Sequence, residues 1–150
     1  MSHNQMMYLL PSGGGNLLIW FTAAWQCDNG CLFLGKLIGK HKCTPYISPG
    51  KTWEGALGGY LLCAFSLWIY SWFANMWIIP NIHGWHVLGI TAVAATASIV
   101  GDMGESFLKR GSRLKDSGDF FPGHGGMLDR IDSIALSCPA VYYYLRFFPL

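Results

Sequence analysis

The residues able to do chemistry crowd into one stretch, Ser106 to Asp132. It reads S-F-L-K-R-G-S-R-L-K-D-S-G-D-F-F-P-G-H-G-G-M-L-D-R-I-D. Lys109, Arg110, Arg113, Lys115 and Arg130 stand among Asp116, Asp119, Asp129 and Asp132, with Asp102 and Glu105 just before them. A Pro122-Gly-His-Gly-Gly126 turn lies in the middle. Carboxylates of this kind hold hard cations, and Lys/Arg hold phosphates. The glycines let backbone N–H groups come close to an anion. His124 is placed to orient a phosphate or move a proton. No Cys/His set has zinc spacing, so the oxygen donors favour Mg²⁺.

Apolar sequence flanks this stretch on both sides. The 150 residues are 52% hydrophobic and only 12% charged, against about 25% charged in soluble domains. All eight acids and nine of the ten Lys/Arg fall within residues 28–55 and 102–132. Charges confined between lipid-seeking segments mark a functional site in a membrane protein. The formal net charge of +2 and the mixed signs exclude a nucleic-acid surface. The five cysteines (27, 31, 43, 63, 138) are unpaired in spacing, so no structural disulfide is expected. The N-terminus lacks the basic, uninterrupted apolar character of a signal peptide.

Four membrane helices are expected, at about 16–34, 56–79, 86–108 and 133–150, each close to the roughly 17–25 residues a span requires. Residues 1–15 read as a loop or frayed end, and Pro139 as an interruption of the last span. Residues 35–55 carry four Lys, two Pro and four Gly, and read as a loop. Its Gly35-Lys36-Leu37-Ile38-Gly39-Lys40-His41 falls one residue short of a Walker loop and has His where Ser/Thr is needed. The fold class is thus all-α, a polytopic membrane protein with two polar segments. One helical hairpin separates these segments, so both lie on the same side. The hairpin turn, Pro80 to Trp85, has no Lys or Arg, which puts both segments in the cytoplasm. If the third helix runs on to about residue 113, Asp102, Ser106 and Lys109 share one face. Asp129 and Asp132 open the last helix, where its dipole favours acids.

At Ser106 to Asp132 the chain resembles the phosphatidate cytidylyltransferases, also called CDP-diglyceride synthetases. The shared pattern is S-x-x-K-R-x4-K-D-x-G-x2-F-P-x-H-G-G-x-x-D-R-x-D. A second segment is similar too: Asp28-x-Gly30, Gly35 to Lys42, and Ser48-Pro49-x-Lys51-Thr52-x-Glu54-Gly55. The departures are Asn29, where Thr is usual, and Cys27 and Cys31, where small residues such as Ala are usual. Family members are longer, and this chain corresponds to their C-terminal half. The resemblance implies a multi-pass enzyme of the cell (inner) membrane that makes CDP-diacylglycerol and pyrophosphate from CTP and phosphatidate. Its partners would be CTP, phosphatidate and membrane lipid, not nucleic acid, and a homodimer is compatible with it.

The implied roles follow. Asp102 and Asp129, with Asp132 and Asp28, would hold Mg²⁺, with room for a second cation. Lys109, Arg110, Lys115 and Arg130 would contact phosphates, with Asp116, His124, Gly125 and Gly126 beside them. Ser48, Lys51 and Thr52 would close over the substrate. The alternative is a catalytically incompetent fragment, or a transport-type membrane protein with a cation site.

Overall fold

The computed structural model describes residues 2–46, 48–74, 82, 84–111 and 128–150, without the side chains of 49 and 128–133. Its elements are α1 (His3–Tyr8), α2 (Gly13–Ile38), β1 (Lys42–Thr44), β2 (Ser48–Thr52), α3 (Trp53–Ala74), α4 (Gly84–Gly111) and α5 (Leu128–Phe147). The architecture is all-α apart from the small hairpin β1–β2.

Residues 1–15 depart from the expected loop, because α1 forms within them. Its cause is local. Ser2 Oγ accepts from Gln5 N (3.4 Å) and Gln5 Oε1 accepts from Ser2 N (3.1 Å), a complete capping box. The fully buried Met7 then ties α1 to the core. His3 meets the rings of Tyr142 and Tyr143 edge-on, at 5.8 Å each.

The long helices pack through small residues. On α2 the buried face steps through Ile19, Ala23, Cys27 and Gly30. It meets Gly55, Gly58 and Gly59 of α3. A Cβ on Gly30 would fall 2.8 Å from Gly59 Cα, and one on Gly58 would fall 2.6 Å from Leu34 Cβ. The two backbones therefore touch, the packing that small residues permit between apolar helices. α4 buries Ile90, Thr91, Ala94, Ala95 and Ser98. α5 buries Val141, Tyr142 and Leu145.

Pro139 lies inside α5 and does not end it. Neighbouring helices sustain a proline-containing helix by packing around it. Here Trp20 Nε1 on α2 donates to Ser137 Oγ (3.0 Å), pinning α5 beside the proline.

Among the described residues two helices, Trp53–Ala74 and Gly84–Gly111, are long and apolar enough to cross a membrane. α2 begins and ends beyond the expected 16–34, α3 starts earlier than 56, and α5 starts before 133. Residues 75–79 of the expected second span lie outside the described residues.

The expected loop 35–55 is also more ordered than composition suggested. Lys42 pairs with Thr52 and Thr44 with Ser48, antiparallel, with an irregularity between them. Tight α2–α3 packing holds the two ends of this segment close together, so the chain between them pairs with itself despite Pro49 and Gly50. The hairpin base is fastened by Trp53 N–H to His41 O (2.9 Å). The Glu54 carboxylate adds to this by accepting from His41 N (3.2 Å) and lying 2.6 Å from His41 Nδ1.

Candidate functional site

A cavity of about 760 Å³ opens where α2, β2, α4 and α5 meet. Its polar lining comes from Asp28 and Lys36 of α2, Lys51 and Thr52 of β2, and Asp102 of α4. Trp25, Leu32, Ile99 and Ile134 supply apolar walls. The fold thus brings Asp28, Lys36 and Lys51 of the first charged window to Asp102, which opens the second.

Lys51 is the residue that joins them. Its Nζ lies 2.8 Å from Asp102 Oδ2. The lysine is largely buried, while Asp102 is 44% exposed at the side chain. Such a half-exposed pair contributes at most about 1 kcal/mol to stability. Burying an ammonium whose donors lack acceptors costs more than that. Lys51 Nζ is out of solvent, and its N–H groups have no aligned acceptor among the described residues. Fold stability alone does not explain this lysine, whereas an anion entering the cavity would satisfy its donors.

Local structure sets each of these positions. Thr52 Oγ1 accepts from Gly55 N (3.1 Å) and so caps the start of α3. That cap turns the chain from β2 into the helix directly after Lys51. Gly39, Gly35 and Gly55 crowd around Thr52, where a Cβ on Gly39 would meet Thr52 Oγ1 at 2.6 Å. Asp28 sits half-buried on α2, on the cavity side. Cys31 and Cys43 also line the cavity. Burial pushes the Cys43 thiol up, with the nearby Glu54 charge adding to it. The thiol stays protonated at neutral pH and is a poor nucleophile.

Further along α4 the expected face is only partly formed. Lys109 Nζ pairs with Glu105 Oε2 at 3.1 Å, one turn apart. Glu105 is buried, and its Oε1 has no hydrogen-bond partner among the described residues. Ser98, also buried and without a partner among the described residues, lies one turn before Asp102. Lys109 and Arg110 do not line the cavity, nor does Ser48, which pairs opposite Thr44. Sequence reasoning passed over Glu105 and Lys36 as site residues. The spacing of Glu105, three after Asp102 and four before Lys109, was the available signal.

Lys115, Asp116, His124, Gly125 and Gly126 lie outside the described residues. Asp129, Arg130 and Asp132 fall in the opening turns of α5, and their side chains are outside as well. No group of three or more His, Cys, Asp and Glu able to hold a metal occurs among the described residues. Asp28 and Asp102 nonetheless present hard oxygen donors to one cavity, and the Lys51 ammonium against Asp102 already stands where positive charge is favoured. This donor chemistry fits a divalent hard cation.

Residues 3–148 match the model of the cytidylyltransferase family. The phosphatidate cytidylyltransferase of Haemophilus influenzae is 41% identical over 133 residues, covering 87% of this chain and 46% of that protein. That of Bacillus subtilis is 42% identical over 124 residues, covering 83% and 45%. That of Staphylococcus haemolyticus is 39% identical over 133 residues, covering 88% and 50%. The chain spans about half the length of the curated relatives it matches. With a match over nearly its whole length, the chain belongs to the cytidylyltransferase family.

Proposed function

We propose that this chain carries the nucleotide-transfer site of a phosphatidate cytidylyltransferase, which joins CTP and phosphatidate into CDP-diacylglycerol and pyrophosphate. The observation that carries the reading is the largely buried Lys51 ammonium, paired with Asp102 at 2.8 Å and lining a cavity where α2, β2, α4 and α5 meet. Substrates named for the relatives are a polyanion and an anionic lipid, and such a site suits both.

The chemistry is a displacement at the α-phosphorus of CTP. A phosphatidate monoester oxygen attacks, a new P–O bond forms, and the bond to the β-phosphate breaks with its electron pair leaving on pyrophosphate. The attacking monoester has a second pKa of about 6, so it is already ionised and needs no strong base. The requirement is to neutralise two anions and align them. Lys51 and Lys36 supply positive charge inside the cavity. Lys109, Arg110, Lys115 and Arg130 would contact phosphates, as the resemblance implies. Thr52 fixes the turn that presents Lys51, and Ser48 anchors the far end of its strand. His124, Gly125 and Gly126 would cradle phosphate, as the resemblance implies, and Asp116 would support a cation.

Asp28 and Asp102, joined by Asp129 and Asp132 from α5, would hold Mg²⁺, with space for a second cation. When bound, Mg²⁺ supplies charge neutralisation to the phosphates. The active face points to the cytoplasm of the inner membrane, as the lysines of residues 35–55 favour. Helices α2 and α5 complete a four-span bundle with α3 and α4.

Membranes carrying the chain, given labelled CTP and phosphatidate, test the proposal. Lipid-extractable label that requires both phosphatidate and Mg²⁺ is the expected result. Label that appears without phosphatidate, or CTP that neither reacts nor binds, overturns it.

A further inference from the structure

We propose a second lipid site, separate from the cavity, which takes the headgroup of an anionic phospholipid on the outer face of the hairpin. It goes beyond the transfer reaction and does not depend on it. Lys40, His41, Lys42, Trp53, Glu54 and Leu57 line an open groove of about 740 Å³ there. Lys40 and Lys42 are exposed, and neither forms an ion pair among the described residues. The acid in the groove is already engaged: Glu54 lies 2.6 Å from His41 Nδ1 and accepts from the His41 backbone. The groove therefore sets two lysines against one carboxylate and carries an excess of positive charge.

What points to a lipid is the surface that continues from the groove. Trp53, Leu57, Leu61, Phe65, Trp68 and Trp72 are all more than half exposed. Their spacing of three and four residues makes them one stripe along α3. From Trp53 to Trp72 the stripe runs about 28 Å at 1.5 Å per residue, close to the thickness of a bilayer's hydrocarbon core. α3 is long and apolar enough to span. Trp53, at its start, occupies the interfacial level where indole rings settle. An acyl chain lying on this stripe brings its phosphate to Lys40 and Lys42, where basic side chains attract anionic headgroups. A free phosphate would have no use for the stripe.

The test uses the 150-residue chain in a non-ionic detergent, with native mass spectrometry reading bound lipid. Dioctanoyl-phosphatidylglycerol is the probe, because its phosphodiester has no free monoester oxygen to act as a nucleophile. It is expected to be retained over dioctanoyl-phosphatidylcholine. K40Q/K42Q should weaken it on the order of tenfold, and each single change should weaken it less. Lys51→Met, in the cavity, should leave it in place. Equal retention of the zwitterionic lipid, unchanged binding in K40Q/K42Q, or displacement by inorganic phosphate at equal concentration overturns the proposal. So does loss in Lys51→Met with retention in K40Q/K42Q, which places the lipid in the cavity.

Discussion

At the scale of single residues, Lys51 and Asp102 lie about fifty positions apart in sequence and 2.8 Å apart in space. Because the pair is only half-buried, removing it has little effect on folding, so function is the sensitive readout. Asp102→Asn is expected to lower cytidylyl transfer at least about 100-fold, the scale of losing an electrostatic group at a reacting centre. Carbonate-resistant membrane insertion should be unchanged. Transfer at the wild-type rate would remove Asp102 from the site. Lys51→Met should raise the KM for CTP by roughly tenfold to 100-fold, as for a lost hydrogen bond to a charged group. The measurement is initial rate against CTP concentration. Asp102 was legible as a site candidate because it follows directly on an apolar run, and Lys51 because the segment around it resembles the family. Their contact was not legible, since nothing in the local spacing of residues 28–55 says which helix the hairpin will lean on. Glu105 shows the opposite failure. It stood in the sequence beside the polar cluster with no role assigned, yet the fold buries it against Lys109.

Elements are held in register by glycine and by two local fastenings. Gly30 and Gly58 let α2 and α3 approach until backbone meets backbone. Gly58→Leu should destabilise the chain by about 1–3 kcal/mol, the usual result of overpacking. Thermal unfolding in detergent, followed by circular dichroism, reads this out, and an unshifted midpoint would mean the helices do not pack here. At the hairpin base, His41→Ala removes the ring that meets Glu54 at 2.6 Å. Limited proteolysis should then nick residues 42–52 several-fold faster while α3 and α4 stay intact. Hydropathy and length predicted the long helices. Their ends, α1 and the hairpin were not predicted, because capping side chains and the closeness of two helix ends set them. Pro139 was read as an interruption because an isolated helix would break there. Packing of α5 on α4 and the Trp20–Ser137 hydrogen bond keep it continuous.

For the whole molecule, the Lys51–Asp102 contact means that the hairpin and the end of α4 share one side of the helical layer. In a cysteine-free background, Tyr46→Cys and Arg110→Cys should react with an impermeant maleimide from the same side of sealed vesicles. Reaction from opposite sides would break the proposed topology. The sequence by itself determined that the chain is helical and apolar, that its charges fall almost wholly in two windows, and that Ser106 to Asp132 resembles a cytidylyltransferase. Composition, periodicity and residue type are local properties, and they suffice for those conclusions. Only the tertiary structure decided that Lys51 reaches Asp102, that Lys36 and Asp28 face the same cavity, and that Lys109 turns to Glu105. Those outcomes depend on how closely α2 and α3 approach and how the hairpin falls across α4, which long-range packing settles and no short stretch of sequence encodes.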